Sequence, residues 1–360
     1  MSAAGWRAAT LWLLAACDPH APVAAAAGSG PSGLMWPPDS PEALNRTCEL
    51  CHPEEATQWR ASLHRDAFTN PAFARSFARE PTPFCQGCHA PHADPTRPPP
   101  RWAADNGVTC VACHLAGGAV RAASTPRSAE PAPHPLARSA GFSGPQACAG
   151  CHEFAFPPAR RRQPGAVMQS TLHEHARSEY ADIACQSCHM GAGPGARRDH
   201  RFAVSQDPAL LRAAISASAR RLAPDLLQLD LAPVGVGHAF PTGDLFRRLA
   251  LVVEALDAAD VRVAGATRYL ARHFPARVHR GPGPQPPDPP ELDDRLTEAT
   301  HVQIHVPGAE AGHTLRWRVV YQRVDQRDAF APELSSLAGE VELAGATLAA
   351  WPGEPAMPGP

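Results

Sequence analysis

Apolar and polar residues alternate in several short stretches of the last third of the chain. The clearest stretch, residues 227–231, reads Leu-Gln-Leu-Asp-Leu, and parts of residues 249–256, 302–306, 315–321 and 339–343 follow the same rule. A period of two places successive side chains on opposite faces of a β-strand, so each stretch predicts a strand with one buried face. Several short strands separated by turn residues predict a β-sandwich-like domain over residues 224–351.

The preceding part of the chain has a different period. Apolar residues recur at three- and four-residue spacing over residues 54–68, 166–181 and 208–222, which predicts helices, the last of them closing an N-terminal domain of residues 43–223. Proline-rich loops, such as residues 94–101 and 125–135, separate these segments. The side chains of this domain therefore supply little apolar core of their own.

Ten of the eleven cysteines fall into five copies of the pentapeptide Cys-x-x-Cys-His. The two thiols can add to the two vinyl groups of a haem while the adjoining histidine binds iron from one face, so the pentapeptide is the attachment signal for haem c. Five copies predict five covalently attached haems. The predicted attachment residues are Cys48, Cys51, Cys85, Cys88, Cys110, Cys113, Cys148, Cys151, Cys185 and Cys188, and the predicted proximal iron ligands are His52, His89, His114, His152 and His189.

Five flat apolar haems would also supply the core that the side chains lack. The predicted fold class is therefore α+β: an N-terminal multihaem domain of short helices and loops wrapped around haems, followed by a C-terminal β-sandwich-like domain. Zinc sites and disulfides are the alternatives to haem attachment. Zinc ribbons use paired Cys-x-x-Cys units and exported proteins use disulfides, but neither requires a histidine after every second cysteine.

The N-terminus predicts export. Residues 1–17 combine a positive start at Arg7 with a short apolar run and end at Cys17, which resembles a lipoprotein signal peptide with a lipidated cysteine. An ordinary signal peptide with an incidental Cys17 is the alternative. Residues 18–42 are rich in Ala, Pro and Gly and predict a flexible tether, and residues 352–360 predict a disordered tail. We therefore expect a periplasmic or cell-surface lipoprotein of a Gram-negative bacterium, held to the membrane through Cys17.

The charge balance argues against nucleic acid as a partner. The formal net charge is −2, and two propionates on each haem would make the loaded protein more acidic.

The second axial position of each iron decides whether the chain carries electrons or binds a substrate. The candidates for this distal position in the N-terminal domain are His64, His92, His134, His173, His175 and His200. His173 and His175 lie two positions apart on a predicted helix, so they point to different faces and at most one serves a given haem. Of the two, His175 is the predicted ligand.

The first motif and its surroundings resemble a known family. Cys48, Cys51 and His52, followed by Trp59, Ser62 and His64, resemble the opening of the tetrahaem cytochrome c family of nitrifying bacteria and its multihaem relatives. In that pattern the later histidine is a haem ligand, which implies this role for His64. Passages around residues 107–110, 168–171 and 185–190 are also similar to such cytochromes. A turn over residues 237–243 resembles one found where a β-domain follows a multihaem segment and implies His238 as a further ligand; the alternative is a surface histidine on a turn held by Pro241 and Gly243. The fifth motif departs from the four-haem pattern.

Two further pairs of side chains carry candidate chemistry. Arg247 and Arg248 can meet haem propionates, since guanidinium groups pair with carboxylates, although solvated surface arginines are equally consistent with the sequence. His301 and His305 share a strand face and could bind a metal, but unliganded surface histidines are the simpler interpretation.

These patterns predict an electron carrier with mostly bis-histidine haems. Its partners would be donor and acceptor cytochromes or a terminal reductase, with the β-domain as a docking module. The alternative is a multihaem oxidoreductase that acts on a small nitrogen or sulfur compound at one open-coordinated haem. A haem-based sensor is a weaker possibility, because sensing does not call for five haems.

Overall fold

A computed structural model of the protein describes residues 40–125, 132–155, 167–192, 197–202, 207–273, 291–328 and 331–352. The predicted signal peptide with Cys17, residues 18–39 of the tether, the proline-rich loop 281–290 and residues 353–360 of the tail lie outside these ranges. Across the described ranges, no helix combines the length and the apolar character needed to cross a bilayer. Residues 41 and 42, assigned to the tether, instead begin the first helix.

The first half of the chain is built from short helices. They are α1 (Pro41–Cys51), α2 (Pro53–Arg60), α3 (Pro71–Arg79), α4 (Pro83–His89), α5 (Arg101–Asn106), α6 (Cys110–His114), α7 (Gln146–His152), α8 (Thr171–His175), α9 (Cys185–His189) and α10 (Pro208–Ala213). Five of them, α1 to α4 and α10, begin with proline, whose missing N–H costs nothing in the first helical turn. Five of the 41 prolines therefore start helices.

The strands concentrate after residue 214. Small strands in the first half are β1 (Leu115–Ala116), β2 (Ala119–Ala123), β3 (Leu136–Ser139), β4 (Glu153–Ala155) and β5 (Val167–Ser170). The later strands are β6 (Ile215–Ala223), β7 (Leu226–Pro233), β8 (Arg247–Leu256), β9 (Arg262–Leu270), β10 (Arg272–His273), β11 (Leu292–Asp293), β12 (Thr300–His305), β13 (Thr314–Gln326) and β14 (Ser336–Leu348). Seven of them form a three-stranded sheet in the order β12-β7-β6 and a four-stranded sheet in the order β14-β13-β8-β9, while β10 and β11 pair with each other.

One apolar core lies between these two sheets. Leu227, Leu229 and Leu231 of β7 face Leu249 and Leu251 of β8 within a single cluster, and each is at most 2% exposed. These leucines are the alternate positions of the period-two pattern, so the predicted strands are confirmed. Helices, loops and small strands followed by a sheet-rich region also confirm the predicted α+β class.

The predicted helices are longer than the observed ones. Over residues 54–68 the helix ends at Arg60, where the Ser62 hydroxyl donates to the carbonyl oxygen of Trp59 at 2.7 Å and competes with the helical pattern. Over 166–181, the described residues form β5, which pairs with β4, and only five residues of α8. The three- and four-residue spacing of apolar residues therefore did not distinguish these turns and the strand β5 from a continuous helix.

The predicted boundary after residue 223 falls at the end of a strand. Residues 208–222 were predicted as one helix, but α10 stops at Ala213 and β6 begins at Ile215, which pairs with Pro233 of β7. The β-region therefore begins at residue 215. The small residues Ala217 and Ala219 face the core and give this strand its period of two.

Candidate haem-binding cavity

A cavity of about 3140 Å³ runs through the helical region and reaches the edge of the β-region. Pockets for a single small ligand usually measure roughly 300–1,000 Å³, so this one has room for several groups. All ten motif cysteines and all five motif histidines line it. The folding of the chain thus brings five separated sequence motifs to one shared space.

Each motif sits on a short helix or at its end. The helices concerned are α1, α4, α6, α7 and α9, and in the first of them His52 is the C-terminal cap. Residues three and four positions apart share one face of a helix, so the two thiols and the imidazole of each motif project to the same side. That is the arrangement required for two thioethers and one axial ligand on a single haem.

Cysteines of different motifs lie close together. The thiol of Cys88 in the second motif interacts with that of Cys151 in the fourth, and the thiol of Cys148 in the fourth interacts with that of Cys185 in the fifth. Cys113 of the third motif also interacts with Cys151, and these contacts make the fourth motif the neighbour of three others.

The first motif joins this set through the third. Cys110 lies close enough to Cys48 for their charges to interact, and burial, followed by Cys48, raises the pKa of Cys110 to about 12. The order of contact is therefore first, third, fourth and fifth motif, with the second motif attached to the fourth.

Three motif histidines face a second imidazole at nearly the same distance. The ring centroids are 6.2 Å apart for His152 and His64, 6.3 Å for His114 and His200, and 6.1 Å for His189 and His238. A metal–imidazole nitrogen bond of about 2.0 Å plus about 1.1 Å to the ring centre predicts roughly 6.2 Å for two imidazoles on opposite sides of one metal. The three separations fit one iron between each pair.

Hydrogen bonds at Nδ1 leave Nε2 available in several of these rings. The Nδ1 atom of His89 lies 2.6 Å from the carbonyl oxygen of Ala67, that of His200 2.8 Å from Arg198, and that of His238 3.0 Å from Ala239. His114 has the same contact with Arg121 at 3.2 Å. A proton on Nδ1 that is donated to a carbonyl fixes the tautomer whose Nε2 can bind a metal.

The electrostatic surroundings favour neutral imidazoles. Burial, followed by the neighbouring His152, lowers the pKa of His64 to about 4, and burial, followed by His238, lowers the pKa of His189 to about 4. Neutral imidazole is the form that binds a metal. The separations of the three pairs, the tautomer of four rings and the low pKa values of His64 and His189 therefore fit haem iron.

The other predicted distal ligands are placed differently. His134 lines the cavity, and its charge interacts with that of His114. His175 is buried in the cavity wall with Nε2 3.0 Å from the carbonyl oxygen of Ile183, whereas His173 is exposed. His92 lies beside Trp102, with ring centroids 6.0 Å apart, and its Nε2 is buried without a hydrogen-bond partner among the described residues. The distal role of His92 stays a prediction.

The motif histidine of α4, His89, has an aromatic neighbour. The ring of Phe73 from α3 stacks on His89 with centroids 3.6 Å apart, and Phe77 stacks on Phe73. An aromatic cluster thus covers this part of the cavity wall.

The two adjacent arginines of β8 point to opposite faces of its sheet. Arg247 lines the cavity and donates to the hydroxyl of Tyr321 at 2.7 Å. Arg248 instead donates to the side chain of Gln322 at 2.8 Å and lies 3.9 Å from the ring centre of Tyr269. The propionate role predicted for both arginines therefore stays open only for Arg247.

Sequence reasoning missed a charged group beside Arg247. Asp244, Tyr321 and Arg323 also line the cavity, and the charges of Asp244 and Arg323 interact with that of His89. Burial opposes ionisation of Asp244, but Arg247 and the neighbouring donors lower its pKa overall. Tyr321 and Arg323 are two residues apart on β13, so the sequence could have suggested that they lie on the same face of the strand. It could not show that this face lines a cavity.

Replacing Arg323 with glutamine should lower the reduction potential of a haem bound at His89. A fixed positive charge near the iron favours the reduced form, so its loss favours the oxidised form. We expect about a tenfold change in the oxidised-to-reduced ratio at fixed applied potential, or ~59 mV for a one-electron couple, measured by spectroelectrochemistry. Arg248→Gln, on the opposite face of the sheet, is the matched control and should leave all potentials unchanged. An equal change in both variants would refute the assignment.

The two strand histidines of the β-region pair with aspartates. His301 contacts Asp230 at 2.5 Å and His305 contacts Asp225 at 2.7 Å, both on the protein surface. No group of three or more His, Cys, Asp or Glu side chains suited to a bare metal ion occurs in the described part of the chain. These contacts agree with the simpler interpretation of surface histidines.

Comparison with known proteins supports the resemblance drawn from the motifs. Residues 47–115 match the family described as cytochrome c554 and c-prime. The crystal structure of a penta-heme cytochrome c552 from Thermochromatium tepidum has the same fold, with a TM-score of 0.62 and 21% sequence identity, over 84% of this chain and 98% of that one. The predicted resemblance to multihaem c-type cytochromes is confirmed.

The other structural likenesses are slight. A beta-glucuronidase from glycoside hydrolase family 2 gives a TM-score of 0.17 at 8% identity over 38% of this chain and 11% of that one. A family 2 member from Bacteroides cellulosilyticus gives 0.18 at 11% identity over 39% and 15%. Neither bears on the fold. No curated protein matches the sequence.

Proposed function

We propose that this chain is an exported multihaem c-type cytochrome that transfers electrons through five covalently bound haems. The observation that carries the proposal is the set of three imidazole pairs with centroids 6.1–6.3 Å apart. The family match over residues 47–115 and the fold of a penta-heme cytochrome support it.

The ten motif cysteines would hold the haems, and the five motif histidines would supply one axial ligand each. When bound, haem supplies an iron that alternates between the ferric and ferrous states and so takes up one electron at a time. His64, His200 and His238 would fill the second axial position at three irons. Two imidazoles leave no coordination position for a substrate, which favours a carrier over a catalyst at these three sites.

The contacts between cysteines indicate which haems would be neighbours. Each thiol would be bonded to the edge of its own haem, so neighbouring thiols bring two haem edges together. The proximity of Cys151 to Cys88 and Cys113, and of Cys148 to Cys185, supports a central position for the fourth haem. Electrons entering at the second or fifth haem would reach the others through this centre, and electrons entering at the first would reach the fourth through the third.

A second candidate function arises from the iron of His89. The aromatic ring of Phe73 stacks on His89, and Phe77 stacks on Phe73. An open axial position at this iron would support an oxidoreductase acting on a small nitrogen or sulfur compound. A histidine in that position would restore the carrier function.

The spin state of the oxidised protein separates the two functions. Electron paramagnetic resonance should find three or more low-spin irons in either case. Five low-spin irons would support the carrier, and one high-spin iron in stoichiometric amount would support the oxidoreductase. High-spin signals from more than two irons would contradict the ligand pairs themselves.

Location and partners follow from the same proposal. Covalent haem attachment takes place outside the cytoplasm, which agrees with the signal peptide predicted for residues 1–17 and with a periplasmic or cell-surface location. We infer a donor and an acceptor cytochrome, or a terminal reductase, as partners. Attachment to the membrane through Cys17 belongs to this proposal and is testable by lipid labelling of the wild type and a Cys17→Ser variant.

A further inference from the structure

His238 reaches the helical region from the β-region on a turn between β7 and β8. This turn, residues 237–243, places the imidazole of His238 nearly parallel to that of His189, at an interplanar angle of 9°. Gly237 allows the close approach, because a Cβ there would lie 2.9 Å from the Cβ of Tyr180. The position of His238 therefore depends on what fixes the turn.

The carboxylate of Glu174, in the helical region, accepts hydrogen bonds from this turn. The backbone N–H of Ala239 donates to its Oε2 at 3.2 Å, and the hydroxyl of Thr242 donates to the same oxygen at 2.6 Å. The hydroxyl of Ser170 donates to the other oxygen at 2.7 Å. One side chain of α8 thus binds both sides of the turn that carries His238.

Arg295, in the β-region, binds both Glu174 and the turn. Its guanidinium donates to Oε1 of Glu174 at 2.7 Å and to the carbonyl oxygen of Pro241, within the turn, at 3.2 Å. The Arg295 and Glu174 side chains are 5% and 11% exposed, so water competes little with this ion pair. The neighbouring Leu296 also exchanges two backbone hydrogen bonds with Phe240, at 2.7 and 3.0 Å.

We propose that Glu174 and Arg295 are positioning residues that hold His238 at the distance needed to bind the iron of the fifth motif. The inference rests on the proposed function, in which His189 and His238 share an iron. It assigns the β-region a structural part in haem ligation that is separate from docking. Burial favours the neutral acid, but Arg295 and the hydrogen bonds lower the pKa of Glu174 overall, so the pair is charged at neutral pH.

The test compares four variants of the haem-loaded protein by electron paramagnetic resonance and haem content. His238→Ala should convert one haem equivalent to high-spin. Glu174→Gln, which keeps the size of the side chain but loses its charge, should raise the same high-spin signal to a measurable part of that equivalent, and added imidazole should reverse it. Thr242→Val, a milder change that removes the hydrogen bonds of the hydroxyl with Glu174 and Thr171, should shift the signal in the same direction and decides the question if Glu174→Gln fails to accumulate.

Glu153→Gln is the matched control. Glu153 accepts hydrogen bonds from the backbone of Leu172 and His173 in the same helix at 3.0 and 3.3 Å, without touching the turn, so its variant should keep the wild-type spectrum. A wild-type spectrum for Glu174→Gln and Thr242→Val, beside a changed spectrum for His238→Ala, would overturn the positioning role alone. A wild-type spectrum for His238→Ala would overturn both this role and the ligation on which it rests.

Discussion

Replacing His64 with alanine should convert one haem from low-spin to high-spin and leave the others unchanged. The expected haem is that of the fourth motif, because the imidazole of His64 lies 6.2 Å from that of His152 although the two residues are far apart in sequence. Alanine removes the ligand nitrogen without adding a group that could replace it. Electron paramagnetic resonance of the oxidised protein would measure the change as one full equivalent.

His173→Ala provides the control for this experiment. His173 is also a histidine of the helical region, but its side chain is exposed and does not line the cavity. Its variant should therefore retain the wild-type spectrum. A low-spin spectrum for His64→Ala, or a high-spin haem in His173→Ala, would show that the cavity geometry assigns the ligands wrongly.

Removing the fourth haem should separate the remaining four into isolated groups. The Cys148→Ala/Cys151→Ala double variant removes the cysteines that interact with those of the second, third and fifth motifs, whereas the neighbour identified for the first motif is Cys110 of the third. Electron transfer between cofactors slows steeply with distance. After a rapid partial reduction, redistribution of electrons among the haems should slow by orders of magnitude.

Cys48→Ala/Cys51→Ala is the matched variant, since it also removes one haem but at the end of the set. Haem content confirms four haems in each protein before the kinetics are compared. The terminal variant should redistribute electrons among its four haems at the wild-type rate. Equal slowing in both variants would contradict the central position of the fourth haem.

The sequence predicted correctly those secondary-structure elements that depend on a local pattern of residues. Alternation at Leu227, Leu229 and Leu231 predicted β7, because a strand between core and solvent leaves that pattern in any context. The predicted helices were less accurate for a physical reason. In the helical region, apolar side chains face the cavity instead of a core of other side chains. Their spacing therefore reflects contact with the cavity as well as the period of a helix.

The pairing of ligands could not be read from the sequence. A family resemblance predicted His64 and His238 as ligands. No local sequence pattern indicates that His64 faces His152 or that His238 faces His189. These pairs depend on long-range folding.

The same holds for Arg247 and Arg248, which are adjacent in sequence and lie on opposite faces of one strand. Alternation predicts that their side chains diverge, but not which of them meets the cavity.

The β-region takes part in the site as well as adjoining it. It carries His238 on the turn between β7 and β8, and it lines the cavity with Arg247, Tyr321 and Arg323. Helix α3 ties the two regions together, since Arg75 and Arg79 both contact the buried carboxylate of Asp325 on β13, at 3.1 and 3.3 Å. A separated helical region would therefore lose one proposed ligand and part of its cavity wall.

The mass of the intact purified chain tests most directly whether this protein is a five-haem cytochrome. We predict that the mature polypeptide carries the added mass of five covalently bound haems, and that alanine at both cysteines of any one motif removes one of them. A polypeptide without added porphyrin mass, or one whose cysteines hold zinc instead, would contradict the proposed function.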